Sequence, residues 1–189
     1  GLAIDLVGSD KALRFISLPL TLADTTPEFV ITHGAAVELV VIRQPSLSTL
    51  SAAPFIQQPQ VSLQDAQGNT VLGDSASYVT VTLHTGAGSL SGSSTTVKLD
   101  QGVATVAGLA INLVGTDKVL RFKGHVSQFT VDSNAFAIVP AAAAHLAVAT
   151  YPSLSTVSAV AFAAQPIVHL RDAAGNIITG DSLSVLTVT

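Results

Sequence analysis

Residues 1–15 read GLAIDLVGSDKALRF, and residues 108–122 read GLAINLVGTDKVLRF. The two stretches are 107 positions apart. When residues 1–82 are laid on residues 108–189 at this offset, no gap is needed and about half of the aligned positions are identical. Self-similarity at one fixed period is typical of repeat architectures. The sequence therefore predicts a tandem repeat with a period of 107 residues.

The repeat divides the chain into three segments, and only the middle one spans a full period. With boundaries near His33 and Pro140, residues 1–33 are the C-terminal part of one repeat, residues 34–140 are a complete repeat, and residues 141–189 are the N-terminal part of the next. A unit of this length is a common size for one compact domain. We interpret the chain as a window of a longer repetitive protein or as a subunit whose partial domains are completed by its neighbours.

Composition excludes several classes of protein. With 48% hydrophobic and 11% charged residues, and a mean hydropathy of +0.57, the chain is too apolar to stay disordered. Only eight Lys and Arg residues and a net charge of −4 leave no basic stripe for nucleic acid. No stretch approaches the roughly 18 unbroken apolar residues of a membrane-spanning helix. We expect a folded domain that binds neither nucleic acid nor membrane through this segment.

Short runs of Val, Ile, Thr and Leu alternate with polar residues, and Gly, Asp, Asn and Ser separate the runs. This period is typical of half-buried strands, and strands that follow one another without helices predict an antiparallel β-sandwich. The predicted strands are residues 37–42, 60–63, 78–83, 95–99, 103–106, 119–122 and 136–139. The predicted turns are residues 65–69, 100–102 and 115–117, with a Gly/Ser-rich connector at 85–94. We expect the PSLST motifs at 45–49 and 152–156 and the Ala-rich residues 141–144 near domain junctions, as short, stiff connections.

Three stretches of the complete copy carry a family resemblance. They are PQVSLQDAQGNTV at residues 59–71, YVTVTLHTGAGSLSGSSTTVKLDQGVATVAGLAI at residues 78–111, and FAIV at residues 136–139. In this order they resemble the bacterial immunoglobulin-like repeats that stand in tandem in invasin-like adhesins and other large surface proteins. The resemblance implies tandem immunoglobulin-like sandwiches outside the cell or at its surface. It leaves open whether they act as spacers, adhesins or filament subunits.

Recurrent aspartates are the first candidates for a site. Asp65 recurs as Asp172, Asp74 as Asp181 and Asp10 as Asp117. Asp65, Asn69 and Asp74 could supply oxygen ligands to a calcium ion at a domain junction. The alternative is that each aspartate caps a turn, and a glycine within three residues of each one favours this second interpretation. We therefore predict no metal site and no cofactor.

The sequence lacks the motifs of a catalytic site. None of the five histidines recurs at the position 107 residues away, so we expect isolated surface histidines, which are His33, His84, His125, His145 and His169. No G-x-S-x-G motif is present, and the Gly-rich residues 86–92 lack the Lys-Ser/Thr ending of a phosphate-binding loop. We predict that the chain is not an enzyme.

Hydroxyl side chains cluster next to proline in three places. They could carry O-linked sugars, but ordinary loop residues are the favoured interpretation. The candidates are Thr25, Thr26, Ser46, Ser48, Thr49, Ser153, Ser155 and Thr156.

These observations favour a structural role. The first hypothesis is a subunit or segment of an extracellular fibre or surface appendage, whose partners are other copies of itself and O-linked glycans. In a sharper version the copies assemble head-to-tail by strand complementation. The alternative is an adhesin stalk or binding module that recognises a host protein or glycan, which would need a cluster of exposed aromatic residues. Aromatic residues make up only 5% of the chain.

Overall fold

The computed structural model describes residues 1–92, 94–125 and 128–188. All regular secondary structure in these residues is β-strand, and they include no helix. The strands of residues 1–33 are β1 (Gly8–Lys11), β2 (Arg14–Ile16), β3 (Ala23–Thr25) and β4 (Phe29–Ile31). Those of residues 34–140 are β5 (Ala36–Arg43), β6 (Ser48–Leu50), β7 (Gln60–Asp65), β8 (Tyr78–Thr85), β9 (Leu90–Ser91), β10 (Thr96–Lys98), β11 (Val103–Thr105), β12 (Ala110–Ile111), β13 (Gly115–Gly124), β14 (Thr130–Asp132) and β15 (Phe136–Val139). The last two are β16 (Ala143–Thr150) and β17 (Ile167–Asp172).

The middle segment contains two main sheets. One has the strand order β10-β8-β13-β15-β6, with β14 beside β13, and the other has the order β11-β7-β5. Alternate residues of a strand point to opposite faces of its sheet, so Val79 and Val81 of β8 are buried while Tyr78 is half exposed. Their partners in one continuous core include Val61 and Leu63 of the other sheet. The prediction of an all-β fold is confirmed, and the architecture is consistent with a β-sandwich.

Most predicted strands of the middle segment lie within observed ones. The strand predicted at residues 78–83 is part of β8, and the one predicted at 60–63 is part of β7. The predicted turn at residues 100–102 is present, with positive φ at Gln101 and Gly102. Alternation of apolar residues was therefore a reliable guide where a strand has one buried face.

Three expectations were wrong in detail. The turn predicted at residues 115–117 is the start of β13, where a register shift and a positive φ at Asp117 form an irregularity within the strand. The connector predicted at 85–94 carries β9, which pairs with β12. The first PSLST motif leads into β6, which pairs with β15 inside the middle segment, so it is not a linker. That pair is parallel and lies at the edge of the sheet, whereas the other ladders of the sheet are antiparallel among the described residues.

Strand pairing in the flanking segments follows the pairing in the middle segment. In β1 and β4, Gly8 pairs with Ile31, and 107 positions later Gly115 of β13 pairs with Ile138 of β15. The six partner pairs of β16 and β17 equally stand 107 positions after the six pairs of β5 and β7, including both register shifts. Equivalent residues therefore have equivalent backbone partners in different segments of the chain.

Candidate functional site at the segment junctions

The turn at residues 65–69 (DAQGN) is organised by one buried carboxylate. Oδ1 of Asp65 accepts hydrogen bonds from the backbone N–H groups of Gln67 at 3.0 Å and Asn69 at 2.9 Å. Gly68 has a φ of 79°, a conformation that glycine adopts without steric cost. Asp is favoured in such turns because its short side chain reaches the backbone two to four residues ahead. This is the turn that the sequence predicted.

The same carboxylate also anchors the start of the middle segment. Oδ2 of Asp65 accepts a hydrogen bond from the backbone N–H of Gly34 at 2.7 Å. The side-chain Nδ2 of Asn69 donates to both carboxylate oxygens, at 3.2 and 3.1 Å. The bond from Gly34, together with those from Asn69 and Gln67, outweighs the opposing effect of burial and lowers the pKa of Asp65 to about 2. Asp65 is therefore held as a carboxylate that fixes the orientation of the Asn69 amide.

The Asn69 amide joins the middle segment to the first one. Its Nδ2 donates to the backbone oxygen of Asp5 at 2.8 Å, and its Oδ1 accepts from the backbone N–H of Val7 at 3.3 Å. We call this contact between residues 1–33 and residues 34–140 the first junction. The amide therefore supplies the two hydrogen-bond partners that a neighbouring strand would otherwise provide. They serve the backbone oxygen of Asp5 and the backbone N–H of Val7, just before β1. Both Asp65 and Asn69 are buried there.

The second junction, between residues 34–140 and residues 141–189, is built in the same way. Asn176 donates from Nδ2 to the backbone oxygen of Asn112 at 2.8 Å and accepts at Oδ1 from the backbone N–H of Val114 at 3.1 Å. Asp172 accepts from the backbone N–H of Ala141 at 3.1 Å and from both nitrogens of Asn176. Every one of these residues stands 107 positions after its counterpart at the first junction.

The buried carboxylates of the two junctions, Asp65 and Asp172, have similarly lowered pKa values. Burial alone would raise the pKa of Asp172, but hydrogen bonds from the Asn176 side chain and from the backbone of Asn176, Ala141 and Ala174 lower it to about 2. Both carboxylates therefore stay charged above about pH 4. The donors that surround them are all N–H groups of this chain.

A serine hydroxyl also takes part in the second junction. Oγ of Ser51, at the end of the PSLSTLS run, donates to the backbone oxygen of Asn112 at 2.6 Å and accepts from Nδ2 of Asn176 at 2.7 Å. Ser51 and Asn176 are both buried, so this hydrogen bond is shielded from water.

Each junction also has an apolar groove. The groove at the first junction has a volume of about 410 Å³ and the groove at the second about 510 Å³. All eight residues that line the first have counterparts 107 positions later among those that line the second: Val7, Gly8, Ser9, Val30, Ile31, Thr32, His33 and Leu72. The lining of both grooves is mostly apolar, which suits them to packing.

The calcium alternative receives no geometric support from Asp74. The Asp74 carboxylate accepts from the backbone N–H groups of Ala76 at 3.0 Å and Ser77 at 2.9 Å, within its own turn. Asp181 accepts from the two equivalent groups, those of Leu183 and Ser184. Of the three proposed ligands, the structure brings Asp65 and Asn69 together through a direct hydrogen bond. In residues 1–92, 94–125 and 128–188, no three His, Cys, Asp or Glu side chains are grouped as metal ligands.

The third recurrent pair of aspartates does not cap turns. Asp117 lies in the irregular part of β13, and Asp10 lies in β1, where it accepts from the Ser9 hydroxyl at 3.2 Å. The turn-cap interpretation therefore holds for Asp65 and Asp74 and is wrong for this pair. Two of the histidines have close contacts: Nδ1 of His33 is 2.8 Å from the backbone oxygen of Gly34, and Nε2 of His125 is 2.5 Å from Oγ1 of Thr80.

The candidate O-glycosylation residues differ in accessibility. Thr25, Ser48, Ser155 and Thr156 are exposed, Thr26, Ser46 and Ser153 are half-buried, and Thr49 is buried. Thr49 donates to the Ser46 hydroxyl at 3.3 Å within the middle segment. Attachment of a sugar stays a prediction. The exposed hydroxyls are the ones that a transferase can reach in the folded chain.

Sequence reasoning missed a buried lysine. Lys118 of β13 is almost fully buried, and its Nζ donates to the backbone oxygen of Ala87 in the Gly-rich loop. Burial lowers its pKa. The only available signal was the recurrence of Lys at positions 11 and 118 in a chain with few charges.

Comparisons with known proteins found no similarity. No family model, no curated protein and no solved structure matches the chain. Among the residues that the structure describes, a search for helices long and apolar enough to cross a membrane finds none.

Proposed function

We propose that the chain is a structural, non-enzymatic segment of an extracellular fibre or surface appendage, made of tandem immunoglobulin-like β-sandwiches with a period of 107 residues. The observation that carries this proposal is the recurrence of one set of seven hydrogen bonds at both junctions. When the same contacts recur at each junction, each domain has the same orientation relative to the preceding domain. Repetition of a constant orientation along the chain generates a regular rod.

The chemistry of the junction fits a load-bearing role. Asn69 and Asn176 bind main-chain atoms of the preceding segment, so the contact does not depend on side chains that vary between repeats. The two residues and their aspartates are buried, which protects the hydrogen bonds from competition with water. The hydrogen bonds at one junction are coupled through a shared carboxylate. At the first junction, Asp65 both orients the Asn69 amide and accepts a hydrogen bond from Gly34, the first residue of the middle segment. A fixed angle between domains follows from this arrangement.

The adhesin alternative needs a surface rich in aromatic residues. Phe15, Tyr78, Tyr151 and Phe162 are the aromatic side chains exposed by two fifths or more, and they come from three different segments. They do not form a ring-to-ring contact with one another among the described residues. The structural role is therefore the function that the geometry supports best.

Electron microscopy of the purified protein, combined with a binding screen against glycans and extracellular host proteins, tests the proposal. We expect filaments or regular rods, with no saturable ligand. Dispersed particles that bind one glycan or protein saturably, with competition by the free ligand, would overturn the structural role in favour of the adhesin.

A further inference from the structure

The strand register of the larger sheet in the middle segment shows which side chains lie together on its outer surface. Thr96 of β10 lies opposite Thr80 of β8, which in turn lies opposite Lys123 of β13. In the next row, Thr82 lies opposite Arg121. Directly opposed residues point to the same side of a sheet, and the residues that alternate with these on β8 and β13 belong to the core. We call the side that points away from the core the outer face.

The outer face is basic in a chain that is acidic as a whole. Among the described residues of β8, β10, β13 and β14, the charged side chains on this face are three cations, Lys98, Arg121 and Lys123, and one carboxylate, Asp132. With histidine neutral, they give the face a net charge of +2, whereas the whole chain carries −4 and its remainder therefore −6. A local excess of positive charge of this kind attracts an anionic ligand.

A cavity of about 300 Å³ lies on the outer face. Thr80 and Thr82 of β8 and Arg121 and Lys123 of β13 are among the residues that line it. Its wall therefore combines hydroxyl groups with cations, and both kinds of donor bind the oxygens of phosphate and sulfate groups. A cavity of this size has room for one such group.

Lys123 and Thr82 supply the available donor groups of this cavity. In the part of the chain that the structure describes, neither the Lys123 ammonium nor the Thr82 hydroxyl makes a hydrogen bond or an ion pair. Arg121, in contrast, donates from Nε and Nη2 to the two carboxylate oxygens of Asp132, both at 2.7 Å. The planar fork that would match a carboxylate ligand is therefore occupied. A point charge beside a hydroxyl remains, and it suits a tetrahedral oxyanion, whose oxygens point in several directions.

The fold of the repeat does not require the Lys123 cation. One period earlier, the equivalent position holds Ile16. Lys123 is exposed, so it does not fill a place in the core. The residues that build the two junctions, in contrast, recur with the same type, as Asn69 and Asn176 do. Lys123 is therefore a feature of the middle segment that is separate from the contacts between domains.

We propose that the cavity on the outer face binds a phosphate or sulfate group, with the Lys123 ammonium and the Thr82 hydroxyl as its donors. Lys123 supplies the opposite charge, and Thr82, on the neighbouring strand, supplies a directed hydrogen bond. The inference goes beyond the proposed function, since a rod needs no ligand and an inorganic oxyanion is neither a glycan nor a host protein. The group is either a free ion or part of a polymer, and both sources present the same oxygens to the cavity.

Titration of the full chain with inorganic phosphate, followed by amide chemical shifts, tests the site. The ionic strength is kept constant with sodium chloride, because salt screens the attraction between exposed charges. We expect saturable shifts at Thr80, Thr82 and Lys123, the same pattern with inorganic sulfate, and no shift at Val61 in the other sheet. Polyphosphate is the second arm of the titration. Equal affinity per phosphate group assigns a free ion to the site, and tighter binding of polyphosphate assigns a polymer.

Four variants separate a defined site from diffuse attraction. Lys123→Gln removes the free cation and should weaken phosphate binding roughly tenfold, because a hydrogen bond to a charged group is lost. Lys123→Arg keeps the charge and should retain most of the affinity. Lys98→Gln removes the same charge from the same face outside the cavity, so as the matched control it should change the affinity by less than about twofold. Asp132→Asn removes a negative charge and releases Arg121, so it should tighten binding about two- to fivefold.

The possible outcomes are distinct. Shifts that increase without saturation would overturn the site, as would equal losses in Lys123→Gln and Lys98→Gln or weaker binding by Asp132→Asn. Thermal unfolding of each variant should match the original chain, because the substituted side chains are exposed. Filaments that bind neither phosphate nor sulfate would overturn this inference and leave the proposed function standing. A chain that binds phosphate saturably and forms no filaments would support the site and count against the proposed function alone.

Discussion

The two junctions share their Asp–Asn turn and differ at its edge. Both use a buried carboxylate to orient an amide toward the main chain of the preceding segment. The second has Asn112 where the first has Asp5. Because the Asp5 and Asn112 contacts are made through backbone oxygens, this change of side chain leaves the hydrogen bond in place. The comparison teaches that the junction accommodates either side chain at this position, because its contact there is to a main-chain oxygen.

The largest effect is expected from removal of one carboxylate. Asp65→Ala deprives the N–H groups of Gly34, Gln67 and Asn69 of their acceptor and releases the Asn69 amide. Buried donors left without an acceptor are strongly destabilising. The backbone amide of Val7 should lose its protection from hydrogen exchange, while that of Val114 should keep it.

Two matched variants sharpen this first prediction. Asp172→Ala should reverse the pattern and expose Val114 only. Asp74→Ala removes a carboxylate that caps a turn without a bond to the preceding segment, so neither amide should respond. Equal loss of protection at Val7 and Val114 in any one of these variants would contradict the separate action of the two junctions.

Acid should weaken both junctions in one pH window. The pKa values of Asp65 and Asp172 are lowered from 3.8 to about 2, so each charged carboxylate stabilises the folded form. For a lowered pKa this contribution is complete above the unfolded value and is lost as the pH falls from about 4 to about 2. Chemical shifts of the Val7 and Val114 amides should change together in this range. A shift at one amide with midpoint above pH 5 would be inconsistent with the shared environment.

Removal of one amide should have an intermediate effect. Asn69→Ala leaves the backbone oxygen of Asp5 and the N–H of Val7 without their partner, at a cost of roughly 1–3 kcal/mol to the first junction. Exchange of the Val7 amide should accelerate about five- to a hundredfold, and Asn176→Ala should do the same to Val114. An Asn69→Ala variant with unchanged exchange at Val7 would show that the amide does not join the segments.

The smallest effect is expected from the serine hydroxyl at the second junction. Ser51→Ala removes one donor and one acceptor from the second junction and should cost about 1 kcal/mol there, with the first junction unaffected. Ser158, its counterpart 107 positions later, is exposed, so Ser158→Ala is the control and should be neutral. A response at Val7 to Ser51→Ala would mean that the junctions are coupled through the middle segment.

Much of the fold could be predicted from local pattern. Tyr78 to Leu83 alternate apolar and polar residues because β8 has one buried face, and the prediction there agrees with the structure. The error at residues 115–117 has the opposite cause. Gly-Thr-Asp is a typical turn sequence, but pairing of β13 with β15 and β8 absorbs it as an irregularity within a strand. Long-range pairing outweighed a local signal at that point.

The candidate site could be located but not interpreted from sequence. Asp65 and Asn69 were identified together, as calcium ligands or as turn residues, because both types are common in turns and in calcium sites. Their contact with the preceding segment is to main-chain atoms of Asp5 and Val7, which any residue supplies, so no side-chain pattern announces it. The signal that was available was the near-identity of residues 1–8 and 108–115.

The most direct test of the account is a pair of distances measured by electron paramagnetic resonance. The chain has no cysteine, so spin labels can be placed at will. Labels at Leu18→Cys and Glu38→Cys span the first junction, and labels at His125→Cys and His145→Cys span the second at equivalent, exposed positions. The account predicts two narrow distance distributions with the same mean, each broadened by Asn→Ala at its own junction. Distributions with different means, or broad ones in the original chain, would contradict a single repeated junction.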